Sequence, residues 1–327
     1  MLALCVSALV LLLGVPLIAE AQSVPSLPRI GVLANALDTA DGPLFQGFLE
    51  ALRALGYSED RNVAIDWRSS EGDDSQLPGL AADLVRARVD VILATSLRPA
   101  LAAVEATKTI PIVFVVAADP VGLGLVPNLT RPGGNVTGLA VYRPRESTER
   151  ALDLLKTLTP RASHLAVLNN PSNPVHRELL SQVLPGAAQR SKLTLIPLAL
   201  QSPAELPSVF DRARRKQADA IYVLGDVLAF INRARIVELA AKHRLPAVYS
   251  FRSAAEAGGL MAYSPDLREL FVRAAGNVDK ILKGSKPGEI PVTQSGKYEL
   301  LINMRTARAL GLAVPLALTR QANVVIE

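Results

Sequence analysis

The sequence predicts an α/β protein with two similar lobes, each built on a parallel β-sheet that is covered by helices. From residue 29 onward, apolar strand-like runs alternate with amphipathic helical segments. The runs are nearly continuous in Val, Ile and Leu, which is typical of parallel strands buried on both faces. Because the alternation starts afresh near residue 164, two sheets are expected instead of one oversized sheet.

Five strands and the helices between them make up the predicted first lobe. The strand-like runs cover residues 29–35, 62–67, 89–96, 111–117 and 135–142. The first helix is indicated by an apolar stripe at helical spacing, and the glycine after it suits a C-terminal cap. The stripe and its cap are Leu44, Phe45, Phe48, Leu49, Leu52, Leu55 and Gly56.

The predicted second lobe repeats this order and is followed by further structure. Its strand-like runs cover residues 164–170, 193–200, 220–226 and 246–251. Another strand is expected at residues 259–264, and a clean apolar stripe predicts a helix from Leu267 to Leu282. A linker at residues 285–292 and a strand-like run at residues 298–304 follow. This additional strand and helix indicate that the chain crosses between the lobes more than once.

The N-terminus has the pattern of a secretory signal peptide. Residues 2–18 form an apolar run that is short for a membrane span, and Ala19-Glu20-Ala21 follows as a small-x-small cleavage site. We predict cleavage after Ala21 and a periplasmic or secreted location. No Lys or Arg precedes the apolar run, although export signals usually carry one there, so an uncleaved N-terminal anchor is the alternative.

The composition excludes several kinds of site. Cys5 is the only cysteine, so the chain after Ala21 has no disulfide, no thiolate nucleophile and no cysteine metal ligand. The formal net charge is +5, but its cations are scattered. The densest group, residues 212–216, ends a predicted helix, where cations suit the helix dipole, and no aromatics interleave it. We therefore predict no nucleic-acid partner, no cofactor and no metal.

Polar residues follow the predicted strands at their carboxyl ends, where ligands bind in open α/β sheets. Neutral donors and acceptors dominate this set, which suits the binding of a small polar molecule. The Asn-rich loop at residues 169–173 has an equally simple explanation as a turn and helix N-cap. The set comprises Asn35, Thr95, Ser96, Arg98, Asp119, Asn169, Asn170, Ser172, Asn173, Asp226 and Ser250.

Asp119 lies in the stretch VFVVAADPVGLG, which raises the question of a cofactor or catalytic site. A dinucleotide fingerprint would need a third glycine at position 127, where Pro127 stands, and would follow the first strand instead of the fourth. Asp119 followed by Pro120 suits the N-cap and first position of a short helix. We expect Asp119 to be an N-cap and a candidate ligand contact, two compatible roles.

Several long stretches resemble the ABC transporter substrate-binding proteins of the tryptophan- and tyrosine-binding-protein-like group. The resemblance covers residue 29 to about residue 327 and is carried by GFLEALRALGYSEDRNVAIDWRSSEGD, LPGLAADLVRARVDVILATS, IPIVFVVAADPVGLGLVPNLTRPGGNVTGL, HRLPAVYSFRSAAEAGGLMAYSPDL and VDKILKGSKPGEIPVTQSGKYELLINMRTARALGL. It implies a type I periplasmic binding protein fold, with two Rossmann-like lobes joined by a three-strand hinge. The implied N-terminal lobe is 28–142 plus 258–288, and the C-terminal lobe is 143–257 plus 289–327.

The resemblance also implies a ligand cleft between the lobes and a role without catalysis. The protein would close on a small molecule and present it, as a monomer, to the permease subunits of an ABC transporter. Arg98 stands where many relatives have small residues, so the ligand of a relative is not carried over. The implied cleft residues are Asn35, Thr95, Ser96, Ala118, Asp119, Tyr142, Asn169 to Asn173, Asp226, Tyr249 and Ser250.

Two other classes of protein compete with this interpretation. A repressor core shares the fold, but it would need a helix-turn-helix in front, where this chain has a signal-like segment. An exported enzyme is the stronger alternative, because Asp119 and Asp226 could face each other across the cleft as an acid/base pair.

Overall fold

A computed structural model describes residues 27–35, 42–59, 61–117, 119–141 and 144–327. The predicted signal peptide, Ala118 and Tyr142 lie outside the described residues. Among the residues that are described, no helix is long and apolar enough to cross a membrane.

The described residues form strands and helices in the alternation that the sequence predicts. The strands, in chain order, are β1 (Arg29–Ala34), β2 (Ala64–Ser69), β3 (Val91–Ala94), β4 (Ile112–Ala117), β5 (Val136–Val141), β6 (His164–Asn169), β7 (Thr194–Ala199), β8 (Ala220–Val223), β9 (Ala247–Tyr249), β10 (Met261–Pro265), β11 (Thr293–Ser295), β12 (Tyr298–Asn303) and β13 (Val324–Ile326). The helices are α1 (Pro43–Ala54), α2 (Leu77–Arg86), α3 (Leu97–Ala106), α4 (Pro144–Leu158), α5 (Pro174–Glu178), α6 (Leu184–Arg190), α7 (Leu206–Arg215), α8 (Val227–Ile231), α9 (Arg233–Lys242), α10 (Arg252–Glu256), α11 (Leu267–Leu282), α12 (Met304–Leu310) and α13 (Leu316–Gln321).

These strands form two sheets, and parallel pairing dominates both. The first sheet has the order β11-β5-β4-β3-β1-β2, and all of its neighbouring strands are parallel. The second has the order β13-β12-β10-β9-β8-β6-β7, with one antiparallel pair between β10 and β12. The predicted α/β class with two parallel sheets is confirmed.

Each sheet is covered by helices on both faces, as continuous apolar strands require. In the first sheet, α1 and α11 pack together on one face, where Phe45 contacts the rings of Trp67 and Phe271 at centroid distances of 5.2 and 5.3 Å. Helices α2 and α3 cover the other face. Burial of each large apolar side chain of this kind stabilises the fold by about 1.5–3 kcal/mol.

The chain crosses between the two sheets three times: from β5 to α4, from β10 to α11, and from β11 to β12. The predicted lobe boundaries are wrong at two strands. Strand β10, expected in the first lobe, pairs with β9 and β12 of the second sheet, and only the following helix α11 packs on the first. Strand β11, expected in the second lobe, pairs with β5 of the first sheet. The resemblance implied the lobe boundaries, and a local sequence pattern does not record the sheet edge with which a short strand pairs.

Two glycine-containing loops contact each other where the chain approaches the last crossing. The backbone N–H of Gly133 donates to the carbonyl of Gly288 at 3.1 Å, and a Cβ on Gly288 would lie 2.6 Å from the Gly133 carbonyl carbon. The Thr137 hydroxyl donates to the Ile290 carbonyl at 2.7 Å and continues this contact. The glycine at position 288 is therefore required by backbone packing.

Candidate ligand-binding cleft

The carboxyl-end edges of the two sheets face each other, which places the candidate site between the lobes. Arg98, after β3, donates from Nη2 to the backbone oxygen of Ser172, after β6, at 3.4 Å. Ile231, at the end of α8, lies against the turn after β2, where a Cβ on Gly72 would be 3.0 Å from Ile231 Cδ1. The predicted strand-end residues of both lobes therefore border one cleft.

Asn35 organises the first-lobe side of this cleft. It is only 3% exposed, and its side-chain amide donates to Asp74 Oδ1 at 2.5 Å. The Ser96 hydroxyl donates to Asn35 Oδ1 in a short contact, and the backbone N–H of Gly72 donates to the Asn35 carbonyl at 2.7 Å. Asn35 thus joins the end of β1 to two other segments at the cleft edge, the loop after β2 and the start of α3. Asp74, which the sequence did not single out, is a central member of this network.

Ser96 stands at the N-cap position of α3 but does not cap it with its side chain. Its backbone is extended, and its hydroxyl is directed to Asn35 instead of to an N–H group of the helix. The first turn of α3 therefore presents backbone N–H groups without the usual side-chain acceptor. Thr95 precedes it and is half-buried, with its backbone N–H bonded to the Leu33 carbonyl at 3.1 Å.

Asp119 lies at the end of the first-lobe strand β4 and is exposed. Its carboxylate accepts a hydrogen bond from the Gly122 backbone N–H at 2.9 Å. The predicted short helix is wrong, because residues 120–124 form a turn in which Gly124 has a φ of +72°. The carboxylate lies directly against Gly122, where an added Cβ would be 2.1 Å from Asp119 Oδ2. The Asp119 carboxylate thus makes the expected capping contact, but it caps a turn and not a helix.

Asp226 organises the second-lobe side of the cleft and accepts three hydrogen bonds. Its carboxylate accepts from the Leu228 backbone N–H at 3.0 Å and so caps α8. It also accepts from the side-chain amides of Asn170 at 3.2 Å and Asn173 at 2.9 Å. Asn173 in turn caps α5 through the Val175 N–H at 3.0 Å. Asp226 and Asn173 therefore each cap a helix and also bond to each other in one polar cluster.

His176 is a buried member of the second-lobe cluster that sequence reasoning did not assign to the site. It is 2% exposed, its Nδ1 lies 2.9 Å from the Asn170 backbone N–H, and its Nε2 lies 3.0 Å from the Gly225 carbonyl oxygen. Nδ1 must accept and Nε2 must donate, which requires the neutral Nε2–H tautomer. Burial lowers the pKa of His176, and the nearby Asp226 opposes that shift. The only sequence signal was its position one turn after the Asn173 cap.

The side chains of two predicted ligand contacts, Tyr249 and Asn169, are buried. Tyr249 is 1% exposed and packs in the core beside Phe251 and Gly259, and this burial raises the pKa of its hydroxyl. In this structure the Tyr249 side chain belongs to the core and not to the cleft surface, which argues against the predicted ligand contact. Asn169 is also buried, and its side chain donates to the Val167 carbonyl at 3.2 Å.

Ser250 remains at the cleft and borders a cluster of tyrosines beside the first turn of α4. Its hydroxyl lies 3.2 Å from the Val223 carbonyl and 3.4 Å from Tyr222 Oη. Tyr298 stacks on Tyr263 with ring centroids 5.2 Å apart, and burial raises the pKa of Tyr298 to about 12. Within the described ranges, no group of three or more His, Cys, Asp or Glu residues is arranged to hold a metal ion.

Comparison with known proteins gives one consistent family. The family described as ABC transporter substrate binding protein matches residues 30–326. A tyrosine-binding protein of Clostridioides difficile is 31% identical over 265 residues, which cover 81% of this chain and 75% of the relative.

Solved structures agree with this result. A domain from Streptococcus pneumoniae in complex with L-Trp has a TM-score of 0.84 at 28% identity and covers 92% of this chain and 100% of its own. A ligand-free, open substrate-binding protein from Clostridium difficile has a TM-score of 0.67 at 25% identity and covers 92% of this chain and 99% of its own. The two sheets and their crossings form a type I periplasmic binding protein fold. The chain therefore belongs to the family of ABC transporter substrate-binding proteins.

Proposed function

We propose that this protein is the extracytoplasmic substrate-binding component of an ABC importer and that it captures a small, polar, amino-acid-like ligand between its lobes. The observation that carries the proposal is the position of two polar strand-end networks, around Asn35 and around Asp226, on opposite sides of one cleft. Ligand contacts with both lobes stabilise the closed form, because a ligand shifts a conformational equilibrium only through its differential affinity. The closed form is then presented to the permease subunits.

The chemistry of the cleft suits a zwitterion. The first turn of α3, which Ser96 leaves without a side-chain acceptor, offers N–H groups and a positive dipole end to a carboxylate. The exposed Asp119 carboxylate, on the same lobe, offers an anionic partner to an ammonium group. Thr95 and Ser250 add neutral hydroxyls. The relatives named for tyrosine binding and solved with L-Trp support an aromatic amino acid as the ligand.

The proposed location and partners rest on the family and on the predicted signal peptide. A protein that delivers a ligand to an importer acts outside the cytoplasmic membrane, which agrees with cleavage after Ala21. We propose that it works as a monomer, since each chain contributes both lobes of its own cleft.

The alternative of an exported enzyme is less well supported. It requires Asp226 to act as an acid or base, but three donors already engage this carboxylate in a capping network. Asp119 is held by the Gly122 N–H within its own lobe. This arrangement suits the fixed geometry of a binding site more than proton transfer across the cleft.

A thermal-shift screen tests the proposed function directly. Residues 22–327 would be heated with L-tryptophan, L-tyrosine, other amino acids, sugars and dicarboxylates. A ligand at 100 times its dissociation constant is expected to stabilise the fold by about 2.7 kcal/mol. Stabilisation by an amino acid, with the ligand recovered unchanged, supports the proposal. Stabilisation by none of the amino acids, or conversion of the bound molecule, contradicts it.

A further inference from the structure

Residues of the first lobe contact residues of the second lobe directly across the cleft. Arg98 of the first lobe donates to the Ser172 carbonyl of the second at 3.4 Å. Beside it, Ile231 of the second lobe rests on the Gly72 turn of the first. The TM-score is 0.84 with the relative that holds L-Trp and 0.67 with the ligand-free, open relative.

Arg98 is positioned from within its own lobe. Its Nε lies 3.7 Å from Asp74 Oδ2, and the other oxygen of Asp74 accepts from the Asn35 amide at 2.5 Å. Asp74 stands two residues after Gly72, so the loop that anchors the guanidinium also carries the second contact across the cleft. The guanidinium is thereby directed toward the opposite lobe.

The acceptor on the second lobe is equally fixed. The Ser172 backbone N–H donates to Asn170 Oδ1 at 2.9 Å, and the Asn170 amide donates to Asp226 at 3.2 Å. The neighbouring Pro171 carbonyl accepts from Arg177 Nη1 at 2.9 Å. A continuous series of polar contacts therefore runs from the end of β1, through Arg98, to the end of β8.

We propose that Arg98 is a positioning residue that latches the closed lobes together and does not contact the ligand. Its partner is a backbone carbonyl, so the contact is the same whichever molecule occupies the cleft. Its effect on ligand binding, which rests on the proposed function, is to raise the fraction of the protein in the binding-competent closed form. The side chains of Arg98 and Asp74 are 49% and 46% exposed. An exposed charge contact of this kind is expected to change the ratio of closed to open protein by about two- to fivefold.

Spin-label distances in the ligand-free protein test the latch without any ligand. The chain from residue 22 onward has no cysteine, so Glu105→Cys on α3 and Gln189→Cys on α6 provide one label on each lobe. In this background, Arg98→Gln and Asp74→Asn are each expected to reduce the short-distance population. The double variant is expected to reduce it no further than the stronger single variant, because both residues act in one contact. Arg86→Gln, which removes an ion pair with Asp83 inside α2, is the control and should leave the distances unchanged.

Titration calorimetry with L-tryptophan on the same variants completes the test. The latch predicts that Arg98→Gln and Asp74→Asn weaken binding by the same factor, of at most about five, because the apparent affinity scales with the closed fraction. An unchanged ligand-free distance distribution in Arg98→Gln overturns the proposal, and so does a starting protein with no short-distance population. A loss of affinity without a change in those distances would instead make Arg98 a ligand contact. Failure of L-tryptophan to bind would count against the proposed ligand, while the ligand-free distances would still decide the latch.

Discussion

His176 Nδ1 accepts a hydrogen bond from the Asn170 backbone N–H at 2.9 Å, and this contact fixes the protonation state of a buried imidazole. The opposite ring nitrogen donates to the Gly225 carbonyl, so one neutral side chain joins the loop after β6 to the loop after β8. Both loops carry candidate ligand residues. The geometry of the second-lobe side of the cleft therefore depends on a histidine that must stay neutral, and burial favours this state by lowering its pKa.

The first prediction concerns the pH dependence of stability. Burial lowers the pKa of His176 below its ordinary value of about 6.5, so the unfolded chain binds more protons than the folded chain just below that pH. The free energy of unfolding is therefore expected to fall as the pH is lowered from about 6.5 toward the folded-state pKa. Urea unfolding at pH 7.5 and pH 5.5 measures this loss. His176→Gln retains an amide that can donate to Gly225 but does not titrate, so its loss should be smaller; an equal loss in both proteins would contradict the assignment.

The second prediction concerns the close approach of Gly288 to Gly133. A Cβ on Gly288 would lie 2.6 Å from the backbone of Gly133, and backbone atoms cannot move aside as a flexible side chain can. Gly288→Ala is expected to lower the free energy of unfolding by about 1–3 kcal/mol. Gly79→Ala is the matched control, because this helical glycine has no atom within 4 Å of an added Cβ. The control should be neutral or stabilising by up to about 1 kcal/mol. Denaturant unfolding of both variants is the measurement, and equal stabilities would refute the contact.

The sequence predicted the strands and helices better than their pairing. The period of the apolar residues identified α1, α11 and the parallel strands, because burial of one helical face or of both strand faces leaves a direct pattern. Strand β10 was found near its predicted position but assigned to the wrong lobe, and β11, which no pattern predicted, lies in a segment assigned to the wrong lobe. Sheet membership depends on contacts between residues more than a hundred positions apart, such as Thr293 beside Leu139, which no local pattern records.

In the candidate site, too, residues with a local sequence signal were predicted and long-range contacts were not. Asn35, Asn170, Asn173 and Asp226 were found because strand ends and helix caps have local signals, and the structure brings them to one cleft. The burial of Tyr249 was not foreseen because a strand end does not reveal which face a side chain takes. Asp74 had no signal of its own and His176 had only its position after the Asn173 cap, since the role of each is defined by a hydrogen bond to a residue on another element or loop. The ligand contacts themselves stay a prediction.

The third prediction concerns the three donors to Asp226. Asp226→Ala removes the acceptor of the Leu228 N–H and leaves the amides of Asn170 and Asn173 without their shared partner. The free energy of unfolding is expected to fall by about 1–3 kcal/mol, and ligand affinity should fall as well because the loop loses its fixed geometry. Asp153→Ala, at an exposed position of α4, is the control for loss of a carboxylate. Wild-type affinity in a destabilised Asp226→Ala protein would show that this cluster supports the fold and not the site.

The fourth prediction separates the two roles of Asp119. Asp119→Asn keeps an oxygen that can accept from the Gly122 N–H but removes the negative charge, whereas Asp119→Ala removes both. If the carboxylate binds the ammonium group of the ligand, both variants should lose affinity for L-tryptophan. Only Asp119→Ala should also lose about 1 kcal/mol of stability, the usual effect of deleting a capping acceptor.

Calorimetry and thermal unfolding of these two variants give the affinity and the stability independently. Unchanged affinity in Asp119→Asn would show that Asp119 only stabilises the turn. Another group in the cleft would then have to bind the ammonium group. A loss of affinity for L-tryptophan that is absent for indole-3-propionate, which has the carboxylate and the ring but no amine, would identify the amine as the group that Asp119 contacts. This pattern is expected because only the ammonium group gains from the negative charge at this position, while the first turn of α3 serves the carboxylate in both ligands.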